Sequence, residues 1–313
     1  MNNTSVMPDC QLTLRTYLIQ QDRSSHYENF LVFSIVLNSI IAVVASTSNA
    51  IVIYTISTNP SLRNPSNILI LSLASSDLGV SVLSQSFYCL LLVAELKRNM
   101  VLICHASTGN FVTVWAFVFI SCLTLVLISA DRYLALRLHL RYKELITTRR
   151  YIVVLIMIWV SGFGVGALRN YAPSVHGLVN IAFGIFAAGF VFLVMVNAFF
   201  IAKIGRLIRR HSKQIRAQKV NMPHGQRLKR SVYTIYYVIG SFVLCYVPYF
   251  VLLAISRISE LKRSEKVAYY YTMAETIVML NGVLNPVIYC WRIGELRQAA
   301  LQTLKKLYSC RNL

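Results

Sequence analysis

The residues whose chemistry is hardest to explain as ordinary packing are polar groups inside long apolar stretches. Asp77 is the one acid within residues 64–94, and Ser121 falls at a similar depth in another apolar stretch. Asn281 and Asn285 are four residues apart, which places them on one face of a helix. Carboxylate, hydroxyl and amide oxygens can coordinate a small cation. The alternative is a hydrogen-bond network that only holds helices together.

These groups must be positioned by membrane-spanning helices, because the composition is that of a chain dissolved in lipid. The 313 residues are 56% hydrophobic and 13% charged, with a mean hydropathy of +0.58. A soluble chain has about 25% charged residues. A span needs about 20 apolar residues, and seven windows with no charge or a single acid are long enough: 29–62, 64–94, 99–130, 151–168, 170–202, 231–256 and 267–291. We predict an all-α integral membrane protein with a seven-transmembrane helix bundle.

The basic residues give the orientation. A net charge of +20 would suggest nucleic acid as the partner of a soluble protein, but the hydropathy argues against nucleic acid here. With the N-terminus outside, the cytoplasmic segments hold 22 Lys and Arg and the external segments hold 9. This excess predicts an extracellular N-terminus. Asn2 and Asn3 each begin a glycosylation sequon, as expected on the outside.

We expect three parts of the chain. Residues 1–28 form an extracellular tail, residues 29–291 form the transmembrane domain, and residues 292–313 form a cytoplasmic amphipathic helix and tail that contacts membrane lipids. Cys10 and Cys104 both lie on the oxidising side, so they are a candidate disulfide pair whose connectivity the sequence leaves open. Cys310 is a candidate for acylation, with a free thiol as the alternative.

Landmark residues in six of the spans resemble those of rhodopsin-like (class A) G-protein-coupled receptors. Their order and spacing match from about residue 30 to residue 308, and they are Asn49, Leu73, Asp77, Asp131, Arg132, Tyr133, Trp159, Cys245, Pro248, Asn285, Pro286 and Tyr289. A very short second external loop without cysteine and a fifth span without proline resemble the group of melanocortin, cannabinoid, lysophospholipid and adenosine receptors. The resemblance implies a plasma-membrane receptor that binds an extracellular ligand and activates heterotrimeric G proteins.

The resemblance also implies roles for single residues. Asp131 would restrain Arg132 at rest, Arg132 would meet the G protein on activation, and Leu140 would be an apolar contact on the second cytoplasmic loop. The implied coupling and switch residues are Asp131, Arg132, Tyr133, Leu140, Tyr246, Pro248, Asn285, Pro286 and Tyr289. An inhibitory sodium pocket would be formed by Asp77, Ser121, Asn281 and Asn285.

The cytoplasmic end of the sixth span departs from the family. It reads Leu228, Lys229 and Arg230, without an acid to pair with Arg132. A missing acid should make the resting state easier to leave, so we expect ligand-independent signalling.

The ligand class is open among small molecules, lipids, nucleosides and peptides. Val114 replaces the aspartate of amine receptors, and Met279 replaces the lysine that binds retinal in opsins. Glu275 is expected to face inward and to be the one ionised group in the outer half of the bundle. It would serve either as a counter-ion for a ligand or in an ion pair with Arg257 or Arg169 at the rim. The candidate lining residues of a ligand cavity are Glu275, Phe87, Phe111, Val114, Tyr249, Phe250 and Tyr271, with simple packing between helices as the alternative for the aromatic ones.

Three other functions are alternatives. A receptor-like protein that does not signal is the main rival, because Tyr246, Met195 and Leu228 differ from the residues that the family has at positions involved in activation. A seven-helix transporter is disfavoured, since the sequence shows no inverted repeat. We expect no enzyme and no cofactor apart from sodium, because the histidines have no metal-binding spacing.

Overall fold

The structure of the protein is a computed structural model that describes residues 23–138, 141–171, 178–217, 223–258 and 264–311. Eight helices contain most of these residues. They are α1 (Ser25–Thr58), α2 (Pro65–Leu96), α3 (Met100–Leu138), α4 (Thr148–Tyr171), α5 (Leu178–Ala217), α6 (Pro223–Ile258), α7 (Glu265–Arg292) and α8 (Gly294–Arg311). Helices α1 to α7 each contain a segment that is long and apolar enough to cross a membrane. The predicted seven-transmembrane helix bundle is therefore confirmed.

Capping residues and prolines set the ends of the first two helices. The Ser24 side chain accepts a hydrogen bond from the Tyr27 backbone N–H at the start of α1. Helix α1 ends at Thr58, short of the predicted window, because Pro60 opens a separate 3-10 turn. We call the end of the bundle at which α1 begins the outer end, and the opposite end the inner end.

Helix α2 contains a π-helical turn at Val80–Ser84. Such a turn adds one residue to the helix and rotates everything that follows it. Ser84 and Gln85, which come at its end, are fully buried. The Gln85 side chain donates a hydrogen bond of 2.9 Å to the backbone oxygen of Asn38 in α1. The bulge thus turns polar groups toward the neighbouring helix and away from lipid.

The distribution of side chains is that of a bundle surrounded by lipid. Large apolar side chains are exposed on the perimeter, among them Val160 at 68% and Leu244 at 74%. Asn38, Asn49 and Asp77, in contrast, are at most 2% exposed. Because hydrocarbon offers no hydrogen-bond partners, polar groups in the spans must find theirs in the interior.

Helix α3 lies at the centre and contacts α2, α4, α5 and α6. Helix α4 approaches it closely at two glycines. A Cβ atom at Gly162 would lie 2.3 Å from the Ile120 side chain, and one at Gly166 would lie 2.7 Å from the backbone oxygen of Val112. Gly164, on the same helix, has no atom within 4 Å of its Cβ position.

Helix α8 follows α7 after a break at Ile293 and packs against α1. Leu296 and Ala300 are buried, as expected for its apolar stripe. Leu304 is 42% exposed. The buried part of the stripe therefore covers the first two turns, where α1 is within reach.

We predict that Gly166→Ala lowers the thermal stability of the protein while Gly164→Ala does not. The alanine at 166 must push against backbone, which costs about 1–3 kcal/mol. The alanine at 164 meets open space and favours helix. The measurement is the unfolding temperature of both purified variants in the same lipid nanodiscs. Equal unfolding temperatures would contradict the close approach of α4 to α3.

Candidate functional site

The inner end of α3 is organised around the carboxylate of Asp131, which is fully buried. It accepts hydrogen bonds from Ser66 at 2.9 Å, from Tyr151 at 2.6 Å and from Tyr142. Its Oδ2 lies 3.5 Å from Nε of Arg132, so the local ion pair is present in the structure. Hydroxyl groups from α2, from α4 and from a one-turn helix, Tyr142–Leu145, between α3 and α4 thus hold the acid that pairs with the arginine.

The protonation state of Tyr142 is consistent with its role as a hydrogen-bond donor to Asp131. Burial and the neighbouring Asp131 carboxylate raise the pKa of Tyr142 to about 12. The hydroxyl therefore keeps its proton at physiological pH and donates a hydrogen bond to the carboxylate.

An inner cavity of about 380 Å³ opens beside this ion pair. The side chains that line it come from α2, α3, α6 and α7, with Ile293 just beyond α7, and they are Ile70, Leu125, Ile128, Arg132, Thr234, Val238, Tyr289 and Ile293. Arg132 and Tyr289, both predicted from the sequence, share this wall. Tyr133 lies elsewhere, because it packs against Phe200 and receives a hydrogen bond from Arg137. Leu140 lies outside the described residues.

A polar cluster lies in the middle of the bundle. Nδ2 of Asn285 donates a hydrogen bond of 2.8 Å to the Asp77 carboxylate. Ser121 exchanges a hydrogen bond of 2.9 Å with Ser76, next to Asp77 in the chain. The amide of Asn49 donates to the backbone oxygen of Gly282 at 2.9 Å and fixes α1 to α7.

This cluster contains unused oxygen atoms. The side-chain oxygens of Asn281 and Asn285 are buried and accept no hydrogen bond. A buried acceptor without a partner is costly, and a small cation beside a carboxylate would satisfy both oxygens. The donor set of Asp77, Ser121, Asn281 and Asn285 therefore fits a sodium ion.

An outer cavity of about 490 Å³ lies between α3, α6 and α7. Its lining residues are Asn110, Phe111, Val114, Trp115, Val118, Tyr246, Tyr249, Phe250, Glu275, Val278 and Met279. Five of the seven side chains expected from the sequence are in this wall. Phe87 and Tyr271 are not, since Phe87 packs over Gly109 and Tyr271 donates to the backbone of Leu252 in α6.

Tyr246 connects the outer cavity to the packing below it. The side chain lines the cavity, is 4% exposed, and stacks on Phe242 with ring centroids 4.3 Å apart. Pro248 lies inside α6 two residues later, and Pro286 lies inside α7 beside Asn285. Each proline removes one backbone hydrogen bond, so both helices can bend near the cavity.

Sequence reasoning missed six of the eleven lining residues as ligand contacts: Asn110, Trp115, Val118, Tyr246, Val278 and Met279. Asn110 could have been found because it lies one helical turn before Val114 on α3. No role was predicted for Glu95, at the outer end of α2. It is fully buried and accepts a hydrogen bond of 2.6 Å from Tyr27. Glu275 is therefore not the one acid of the outer half.

The predicted modifications are only partly covered by the structure. Cys104 is disulfide-bonded. Its predicted partner Cys10, the sequon residues Asn2 and Asn3, and the side chain of Cys310 lie outside the described residues. The Cys10–Cys104 pairing, the glycosylation and the acylation stay predictions.

Comparisons with known proteins agree with this architecture. The family model described as 7 transmembrane receptor (rhodopsin family) matches residues 48–179 and 170–289. G-protein coupled receptor 12 of Homo sapiens is 27% identical and is aligned over 81% of this chain and 76% of its own length. Melanocortin receptor 4 of Danio rerio is 28% identical and is aligned over 92% of this chain and 87% of its own length. Adenosine receptor A2b of Gallus gallus is 23% identical and is aligned over 87% of this chain and 88% of its own length. The crystal structure of squid rhodopsin has the same fold, with a TM-score of 0.77, 19% identity, and coverage of 93% of this chain and 89% of the rhodopsin chain.

Proposed function

The chain belongs to the 7 transmembrane receptors of the rhodopsin family, and we propose that it binds an extracellular ligand in the outer cavity and activates heterotrimeric G proteins at its inner end. The observation that carries this proposal is Arg132, which lines the inner cavity while Asp131 restrains it. The charge count supports a plasma-membrane protein with its N-terminus outside. The names of the relatives point to different ligands, which supports no single one.

The packing between the two cavities supports transmission by α6. Tyr246 touches the outer cavity, whereas Thr234 and Val238, farther along the same helix, line the inner cavity. Pro248 lets α6 bend near Tyr246. A ligand that displaces Tyr246 would therefore move Thr234 and Val238 and change the shape of the inner cavity that Arg132 lines.

The rival function is a receptor-like protein that does not signal. One of the altered switch positions, Met195, is 65% exposed and faces away from the bundle interior. Its departure from the family therefore leaves the inner cavity intact. This observation favours signalling.

We further propose ligand-independent activity. Among the residues that the structure describes, the ion pair of Arg132 is with Asp131 of its own helix. The inner part of α6 is held to α5 by a hydrogen bond of 3.2 Å from Tyr236 to the backbone of Ile201. It is held to α7 by Arg292, whose guanidinium lies 5.3 Å from the Tyr237 ring centre. Tyr237 is 45% exposed, and a cation over an exposed ring contributes only about 0.5–1 kcal/mol.

We predict that Arg132→Ala abolishes receptor-dependent G-protein activation. The variant loses the cation at the inner cavity, while Asp131 keeps its three hydroxyl donors, so the bundle should remain folded. The measurement is nucleotide exchange on the G protein, or second messenger in cells, at surface expression matched to wild type. Unchanged activation would contradict the proposed coupling site.

We expect unliganded receptor to raise or lower a second messenger relative to mock-transfected cells. Leu228→Glu, which restores an acid at the inner end of α6, should reduce this basal signal, because a pair with Arg132 stabilises the resting state. Leu228→Gln serves as the polar control without charge. A basal signal equal to that of mock cells at matched surface expression would rule out the ligand-independent activity.

We also propose that sodium occupies the central cluster and stabilises the resting state. Replacing potassium by sodium at constant ionic strength should raise the unfolding temperature of the purified receptor by a few degrees. Asp77→Asn removes the only charge of the donor set and should abolish the difference, whereas Glu144→Gln, on the inner surface, should keep it. Equal unfolding temperatures of the wild type in the two salts would overturn this proposal.

A further inference from the structure

A positively charged side chain lies among aromatic rings at the inner end of α7. Arg292 is in the last turn of the helix, and its side chain is only partly buried. Its guanidinium carbon lies 5.3 Å from the ring centre of Tyr237 in α6 and 5.2 Å from that of Trp291. The two rings are 5.2 Å apart. We call these three side chains, from two helices, the Arg292 cluster.

The protein does not neutralise the charge of the Arg292 cluster. Within the described part of the chain Arg292 pairs with no acid, and the ion pairs found there are those of Arg98 and Arg132. The Nε atom of Arg292 is buried and has no hydrogen-bond partner. The aromatic rings attract the guanidinium but offer its N–H groups no oxygen acceptor. The positive charge is therefore available to an anion from outside the chain.

The Arg292 cluster lies on the perimeter of the bundle. Tyr237 is 45% exposed and Trp291 is 59% exposed. Neither lines the inner cavity, whose α6 residues are Thr234 and Val238. Tryptophan and tyrosine are enriched where the hydrocarbon of a membrane meets its headgroups, and an arginine near the end of a span extends toward the same level. A lipid at the perimeter would therefore meet this cluster without entering the inner cavity.

The donor groups of the cluster suit a phosphate. A guanidinium binds phosphate oxygens through parallel hydrogen bonds, and the indole N–H of Trp291 and the phenol O–H of Tyr237 are further donors. A phospholipid presents a phosphate at the level of its headgroup. A choline headgroup would add a second cation beside Arg292, whereas a headgroup with a net negative charge neutralises the arginine. Anionic lipids are supplied by the cytoplasmic leaflet.

We infer that the Arg292 cluster binds the headgroup of an anionic phospholipid. The phosphate accepts hydrogen bonds from the exposed edge of the Arg292 guanidinium. The acyl chains lie along the apolar perimeter that continues from the two rings toward the middle of the membrane. That perimeter includes Leu244, seven residues after Tyr237, at 74% exposure, and Val287, four residues before Trp291, at 58%. The inference rests on the proposed orientation, which places the inner end at the cytoplasmic leaflet.

The test uses Trp291 itself as the reporter, because bromine atoms on an acyl chain quench the fluorescence of a tryptophan that they contact. Purified full-length protein, without G protein, is placed in phosphatidylcholine nanodiscs that contain increasing fractions of brominated phosphatidylglycerol. A matched series contains brominated phosphatidylcholine. Trp291→Phe gives the signal of Trp115 and Trp159 for subtraction. At equal mole fraction, the anionic lipid should occupy the site beside Trp291 about fivefold more strongly than phosphatidylcholine.

Charge variants separate binding at Arg292 from general attraction to a basic surface. Arg292→Gln should remove the preference for the anionic lipid, and Arg292→Lys should keep part of it, because the charge remains without the planar fork. Lys203→Gln is the matched control. Nζ of Lys203 lies 5.2 Å from the ring centre of Phe199, an exposed residue of α5, so this variant removes a similar cation from another helix. It should leave the preference at Trp291 unchanged.

Equal quenching of wild-type Trp291 by the two brominated lipids would overturn the inference. So would a preference for the anionic lipid that survives Arg292→Gln, or one that Lys203→Gln abolishes. The proposed receptor function fails separately: if the preference depends on Arg292 as expected but Arg132→Ala leaves G-protein activation unchanged, the coupling site is wrong while the lipid site stands.

Discussion

The constraint on which the whole structure depends is that hydrocarbon cannot hydrogen-bond a polar side chain. Every amide, hydroxyl and carboxylate in the seven spans must find its partner inside the bundle or go without. The observed contacts follow this rule across helix boundaries. Asn49 joins α1 to α7, Asp77 joins α2 to α7, and Ser76 joins α2 to Ser121 of α3. These buried polar groups lie where helices meet, whereas exposed hydroxyls such as those of Ser39 and Ser86 donate to carbonyl oxygens of their own helix.

The same constraint shows where function is to be sought. Most buried polar atoms of the interior have partners, so the exceptions carry information. Oxygen atoms of Asn281 and Asn285 are unused beside Asp77, and Oδ1 of Asn110 is unused in the outer cavity. In the first place Asn285 also donates a hydrogen bond to the Asp77 carboxylate, and it is there that we propose a bound sodium ion. In the second, Asn110 shares the cavity wall with aromatic rings.

Much of the fold could be predicted from the sequence, because the length of an apolar window shows directly whether that segment can cross a membrane. The landmark residues also placed Arg132 and Tyr289 at one end of the bundle. The π-helical turn in α2 could not be predicted, since one extra residue leaves no compositional mark. The burial of Glu95 could not be predicted for a related reason. Tyr27 of another helix donates a hydrogen bond to it, and long-range pairs of this kind are invisible in one sequence.

The Asp131 site shows what that long-range information adds. From the sequence, Asp131 and Arg132 form a local pair that any exposed helix could make, and an exposed pair is worth little. In the structure the carboxylate is buried and is held by Ser66, Tyr142 and Tyr151. These donors belong to α2, the one-turn helix Tyr142–Leu145 and α4, and none of them comes from α6. The arginine is thus restrained by the part of the bundle on the far side of α3 from α6. Because α6 contains no Asp or Glu, a displacement of α6 would not break an ion pair of Arg132, and among the described residues α6 is held by its packing against α5 and α7.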